Sequence, residues 1–289
     1  MKKPSHIAAG YKWRWEVIQD KYSQCVRTGK LAKIGPFRCP VCGRRTWSFE
    51  PLPAFYHQMW EKYGRAYPPN SGETCNISAY QCPHCKSPDR ARLYAMYLQK
   101  WFSKQNPSKN GLFLDFAPSK SLSVFIQQKI QEKTPLLDYK TADLMMGGAD
   151  FRLDISNMPE IGNEAVDFFL CSHVLEHVPD DRAAMRELKR ILKPDGQGIL
   201  VVPISLALKA IDEDPTVTDV AERWRRFGQD DHVRAYSRQG FLDRVREAGF
   251  DVLELDKRYF GRYAFWLHGI AQKSVLYVVK HGKNGQEST

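Results

Sequence analysis

The chain has 289 residues, 43% of them hydrophobic and 26% charged, with a formal net charge of +10. That length admits one large domain, or one with a small module, and the composition is that of a globular protein with a real core rather than a disordered or fibrous chain. The longest uncharged apolar run, 198–208, is too short to cross a bilayer of ~30 Å as a helix, which excludes a helical membrane channel.

The charge is unevenly placed. Residues 1–110 hold 19 Lys and Arg against 6 Asp and Glu, whereas 111–289 hold 24 against 27. A basic front half joined to a slightly acidic back half predicts two modules. The basic part would attract an anionic partner: nucleic acid, an anionic glycan or nucleotide, or an acidic membrane surface. The plain alternative is a solvated basic surface with no partner. Two N-terminal lysines have no hydrophobic run behind them, so no secretory signal is expected.

Residues 1–35, with Trp13, Trp15 and Tyr22 among lysines, predict a basic arm or short helix. Residues 36–88 hold two Cys-x-x-Cys pairs, Cys39/Cys42 and Cys82/Cys85. Each pair points two thiolates at one centre, and two pairs give the four-sulfur tetrahedral set that zinc prefers. Redox use of one pair is the alternative, but it needs no second copy. Four protein ligands leave no open position, so the zinc would be structural. Reduced thiolates point to the cytoplasm. Between the pairs lies an insertion with Phe49, Phe55, Tyr56, Trp60, Tyr63 and Tyr67. It is expected to pack on the ribbon or on the second domain, or to cover a substrate as a lid.

Residues 89–102 predict a linking helix, with Leu93, Met96, Tyr97 and Trp101 on one apolar face. The polar stretch 103–110 reads as a boundary. Strands and helices then alternate. Strands are predicted at 112–116, 137–141, 150–155, 165–171, 198–202, 251–255 and 274–279, with helices at 121–133, 180–192 and 237–248 and a turn at 193–196. This order predicts an α/β fold with a doubly wound, mostly parallel sheet, which takes ligands at the carboxyl ends of its strands.

The stretches LFLDFAPSKSL at 112–122, ADL at 142–144, RLDISNMP at 152–159, VDFFLCSHVLEHVPDD at 166–181 and ELKRILKPDGQGILVVP at 187–203 carry a family likeness. From residue 111 to 289 the chain resembles the class I S-adenosylmethionine-dependent methyltransferases. With CPVCG and CPHC upstream, it resembles the bacterial branch that has an N-terminal zinc ribbon. The resemblance implies a Rossmann-like sheet, S-adenosyl-L-methionine as methyl donor and structural Zn2+. It places Asp115, Phe116 and Ala117 at the first turn, where Ala117, Ser119 and Ser121 stand at the family's glycine positions. It also implies Asp143 and Leu144 at the ribose, Asp154 and Ile155 at the adenine, and Ser172 and His173 at the junction of cofactor and acceptor.

A charged, aromatic segment at 222–236 is expected over the strand ends. His173, Asp231 and His232 are the candidate acid–base residues, and Phe227, Arg234 and Tyr236 the candidate substrate contacts. Glu176 and His177 are expected to serve in structural hydrogen bonds. Relatives in saccharide assembly imply O-methylation of a sugar or anionic glycan intermediate. An RNA methyltransferase, using the basic ribbon to hold nucleic acid, and a binding protein that has lost the cofactor are the alternatives. Nothing in the sequence sets the oligomeric state.

Overall fold

The computed structural model describes residues 35–106 and 109–282; apart from Gly35, the basic arm expected over 1–35 lies outside them. Two cysteine knuckles come early. β1 (Phe37–Arg38) and β2 (Arg45–Thr46) pair antiparallel and flank the first. In both knuckles an amide closes the turn onto the leading cysteine: Gly43 N donates to the Cys39 carbonyl and Lys86 N to that of Cys82, each at 2.9 Å. The residue after the second cysteine is left-handed in both, with φ +73° at Gly43 and +58° at Lys86. Glycine takes that conformation without steric cost, whereas a residue with a Cβ holds it at roughly 1–2 kcal/mol.

The insertion forms α1 (Ala54–Tyr63) and then an irregular run. α2 (Asp89–Phe102) follows the second knuckle. Its bounds are those predicted, but it does not bury one face only: Ala91 through Leu98, Trp101 and Phe102 are all buried. One apolar cluster explains this, running from Cys39 and Cys82 through α2 to Phe113 and Phe168. Trp101 lies 4.6 Å from Phe168, which stacks on Phe113 at 4.9 Å between ring centroids. Arg92 is fully buried, and its guanidinium donates to the carbonyls of Ala79, Tyr80, Ser87, His268 and Gly269. A buried charge is tolerable only when its donors are so satisfied.

The sheet is built from β3 (Gly111–Phe116), β4 (Leu137–Ala142), β5 (Val166–Ser172), β6 (Leu192–Val201), β9 (Phe250–Leu255) and β10 (Leu276–His281). Two-residue strands β7 (Asp212–Glu213) and β8 (Arg234–Ala235) pair separately. The sheet order is β4-β3-β5-β6-β10-β9, parallel throughout except for β10, which is antiparallel to both neighbours. Period-two alternation places Phe113, Phe168, Leu170, Ile199, Val201, Leu276 and Val278 on one face. Leu114, Phe169, Cys171, Leu200, Tyr277 and Val279 lie on the other. The first face carries α2 and α3 (Lys120–Lys133), and the second α4 (Asp181–Ile191) and α6 (Arg238–Glu247). A Cβ at Gly198 would lie 2.3 Å from the Phe169 ring, so only glycine fits beneath it.

Two expectations are corrected. The strand predicted at 150–155 is not formed; Phe151 makes a single parallel bridge to Ala142. Asp150 accepts from Thr141 N and Oγ1, and Asp154 from Ser156 N and Oγ, and such local bonds compete with a ladder. The turn predicted at 193–196 lies within β6, as a register shift between the Leu192 and Gln197 pairings.

Candidate active site and cysteine cluster

β3 starts the sheet, β4 is laid on one side of it and β5 on the other. That reversal is the topological switch point, where the strand ends open a crevice. The backbone is unusual at both of its lips. Ala117 follows β3 with φ +50° and His173 follows β5 with φ +57°, two of four non-glycine residues with positive φ among the described residues. Such conformations persist only where the surroundings over-determine them, and they gather at functional sites.

On the β3 side, Asp115 is buried and accepts a hydrogen bond from Tyr139 Oη at 2.7 Å on Oδ2, while Oδ1 has no partner. Burial pushes its carboxyl up to about 7. Asp143 stands one residue past β4, and its Oδ1 accepts from Met145 N and Met146 N, both at 2.7 Å. The Asp154 bonds likewise fall on Oδ1. Each carboxylate therefore keeps Oδ2 outside its local turn. Leu144, Met145 and Met146 form an exposed apolar rim next to Asp143, and Ile155 is buried in the core. The Phe116 ring is also buried, in the apolar cluster with Leu114 and Ala142.

On the β5 side, Ser172 Oγ lies 2.8 Å from Tyr94 Oη. Beyond it the Glu176–His177 pair meets the Asp231–His232 pair, zipped by Val233 N donating to the Glu176 carbonyl at 2.9 Å. His173 Nδ1 lies 3.2 Å from Glu176 Oε1, and His177 Nδ1 lies 3.3 Å from Asp231 Oδ2. His232 Nδ1 faces the Phe227 carbonyl at 3.2 Å. The His173 and His232 Nε2 atoms are buried without a partner. Burial, and then the positive Arg90, bring the His173 imidazole down to about 4. Burial likewise lowers His232. Burial works to raise Glu176, but the His173 imidazole 3.2 Å away and the His232 and His177 imidazoles around it outweigh it and hold the carboxyl below its ordinary range. Burial also opposes charge on His177, but the bond to Asp231 prevails and raises it.

A cavity of about 150 Å³ opens on this cluster, lined by His173, Ser205, Phe227 and His232 from the sheet side. The insertion supplies the other wall, including Tyr56, Trp60, Arg65, Tyr67 and Glu73, and Arg90 comes from α2. It is docked there by α1 against α5 (Val220–Phe227): Tyr63 stacks on Trp224, and Tyr67 Oη donates to the Phe227 carbonyl at 3.2 Å. The Arg65 guanidinium lies 4.5 Å from both the Trp60 and Tyr67 rings, and its Nε is buried without a partner. Glu73 is already bonded to Tyr277 Oη at 2.6 Å.

The four cysteine sulfurs all lie within 4.8 Å of one another, with Cys39–Cys85 at 3.8 Å and Cys42–Cys82 at 3.9 Å. A tetrahedral ion with Zn–S bonds of about 2.3 Å sets its sulfurs about 3.8 Å apart. The cluster therefore has the donor type and spacing that such an ion needs. Cys75 and Cys171 lie outside it.

A family model described as a methyltransferase domain matches residues 78–255. The chain belongs to the methyltransferase-domain family. It carries a methyltransferase domain built on a Rossmann-like, mostly parallel sheet. Among solved structures, the CurJ carbon methyltransferase is 16% identical with a TM-score of 0.43, the match covering 68% of this chain and 58% of that one. The CMeT domain of the citrinin polyketide synthase is 13% identical with a TM-score of 0.47, covering 69% and 55%. A methyltransferase from Aquifex aeolicus is 12% identical with a TM-score of 0.37, covering 63% and 86%. No curated protein matches. No helix among the described residues is long and apolar enough to cross a membrane.

Two crevice residues suit the methyl donor that the sequence resemblance implies. Asp115 keeps a buried acceptor atom without a partner, and Ala117, expected at a glycine position, adopts a left-handed conformation with φ +50°. The expected substrate contacts divide. Phe227 lines the cavity, but Arg234 and Tyr236 do not. Arg234 is buried and donates to the carbonyls of Leu175, Val178 and Pro179 and to Glu213. Tyr236 is fully buried and donates to Asp181 at 2.5 Å. With four of its five N–H donors so used, Arg234 acts as a clamp on the turn that carries Glu176 and His177. Those two residues, expected to serve in structural hydrogen bonds, stand beside His173 and Asp231 in the histidine cluster. Arg65, Arg90 and Tyr94 carried no motif that marked them; only the folded insertion and α2 bring them here.

Proposed function

We propose that the protein methylates an oxygen of a small anionic acceptor, a saccharide or glycan intermediate, seated in the cavity between the insertion and the strand ends. The observation that carries this reading is the pairing of two imidazoles whose Nε2 atoms have no partner, His173 and His232, with Arg65 and Arg90 in the lining of one cavity. Neither arginine makes a salt bridge among the described residues, so each can meet an anionic group. At about 150 Å³ the cavity suits one ring or end group, with Trp60 and Tyr67 offering apolar faces.

When bound, S-adenosylmethionine supplies an electrophilic methyl group. Asp143 and Asp154, through Oδ2, are the acceptors proposed for its ribose and adenine amino group, and Asp115 stands at its methionine end. The chain's remaining work is to orient the acceptor and to remove its hydroxyl proton. His173 is held uncharged by burial, so its free Nε2 is available for that proton at neutral pH. Holding the reacting oxygen in place supplies much of the rate. The cysteine cluster holds a structural zinc in this reading, and the reduced thiolates favour a cytoplasmic setting.

A test is to present the full chain and S-adenosylmethionine with sugar phosphates and nucleotide sugars and to follow the demethylated cofactor. Turnover with such an acceptor, and a raised KM in Arg65→Ala, is the expected result. Turnover with neutral carbon acids only would sink the reading. A second reading, methylation of RNA, rests on a groove of about 1100 Å³ between the knuckles and α3. Arg38, Arg44, Lys86, Lys120 and Lys129 line it and no Asp or Glu does, although Lys86 and Lys129 pair with Glu50 and Glu132 outside it. Salt-sensitive RNA binding lost with Arg44→Glu would favour that alternative.

A further inference from the structure

We propose that Glu176, His177 and His232 form a second metal site, distinct from the cysteine cluster, which holds a divalent first-row transition ion with an open position toward the cavity. These three residues offer ligand atoms that all lie within 4.8 Å of one another. His177 Nε2 lies 4.0 Å from Glu176 Oε1. Ligands 2.0–2.2 Å from one tetrahedral ion lie about 3.3–3.6 Å apart, so atoms as much as 4.8 Å apart close by roughly 1.2–1.5 Å on binding.

The bonds made by the other ring nitrogens carry the argument. A histidine that binds a metal through one nitrogen donates its other N–H to a carboxylate or a carbonyl, which fixes the ring. His177 Nδ1 is held by Asp231 and His232 Nδ1 by the Phe227 carbonyl. Both rings thereby turn Nε2 inward, and the His232 Nε2 is buried with no partner. Glu176 is fully buried, and neither of its oxygens makes a well-formed hydrogen bond. A buried carboxylate with only an imidazole 3.2 Å away is expensive to maintain, and a cation between it and two imidazoles removes that cost. Two imidazoles and one carboxylate make the donor set of ions that keep a position for water or substrate.

The site is independent of the methyl-transfer reading; only its use rests on it. In that use, Glu176, His177 and His232 would hold the ion beside the cavity, where its charge would ease loss of the acceptor's hydroxyl proton. The O–H bond breaks, its electron pair stays on the oxygen, and the proton passes to His173 Nε2, which lies outside the ligand set.

The test is to load the full chain with Co2+ without S-adenosylmethionine. The first equivalent should give the intense thiolate-to-metal band of a four-sulfur site. A second should add only the weak bands of a nitrogen and oxygen site. His232→Asn, whose amide can still reach the Phe227 carbonyl, should stop at one equivalent while keeping the thiolate band, which also reports that the variant is folded. Asp231→Ala removes no ligand and should weaken the second equivalent about 10–100-fold. The proposal is overturned if the wild type takes one equivalent only. It is equally overturned if Glu176→Gln and His232→Asn both keep the second. Two equivalents with no methyl transfer to any acceptor would keep the site and discard the reaction.

Discussion

Replacing Asp115 with Asn should change the way stability depends on pH, by an amount the structure sets. The carboxyl is buried, and burial raises it from 3.8 to about 7 despite the Tyr139 bond. The folded state therefore keeps a proton that the unfolded chain has already released. A raised carboxyl contributes stability that is fully present below pH 4 and is lost as pH climbs to about 7. Three units at 1.36 kcal/mol each come to roughly 4 kcal/mol, of which about 2–3 kcal/mol falls between pH 5 and pH 8. Asparagine cannot titrate, and its amide oxygen can still accept from Tyr139. Urea unfolding of both proteins, without cofactor, at pH 5, 6, 7 and 8 gives the difference between them. Other titrating groups, the cysteines included, cancel in that difference. It should move by about 2–3 kcal/mol in favour of the variant as pH rises. A difference that stays flat within about 0.5 kcal/mol would show that Asp115 is ionised in the folded protein throughout.

Asp143→Ala should weaken S-adenosylmethionine binding roughly 10–100-fold in calorimetric titration, because it removes a charged acceptor and frees the Met145 and Met146 amides it holds. Unchanged affinity would place the ribose elsewhere. Arg234→Met should lower stability by about 3–5 kcal/mol in denaturant unfolding, since it strips partners from three carbonyls and from Glu213. A shift under about 1 kcal/mol would mean that the clamp is idle. Cys39→Ser should lower both bound zinc and the thermal midpoint, because metal binding at such a site is folding free energy. Full zinc occupancy in that variant would exclude the four-sulfur arrangement.

Much of the sheet was legible because its inner strands, such as β5 and the end of β6, are buried on both faces. The run at 165–171 is apolar almost without a break, and such a run has few other folded uses. The bounds of α2 were legible too, but its burial was not. Periodicity reports one preferred face, and it is blind to a second layer, here the cysteine knuckles, packing on the face that carries Arg92. The failure at 150–155 has a local cause. Asp154 satisfies itself with the amide and hydroxyl of Ser156, while Asp150 is tied to Thr141 in β4, and a period-two pattern cannot see that competition. Arg234 and Tyr236 were mistaken for substrate contacts because charge and aromaticity in a connector look the same whether they point out or in.

The amino-acid order by itself determined the kind of sheet, the four-cysteine set and the family, since each depends on short-range pattern: alternation, burial and the reach of a two-residue spacer. Tertiary structure alone decided the chemistry of the cavity. Glu176 and His177 belong to the turn after β5, Asp231 and His232 to the connector that leads into β8, and Arg65 to the insertion. Their meeting depends on β5 and β6 lying side by side and on α1 packing against α5, distances that no local sequence rule encodes.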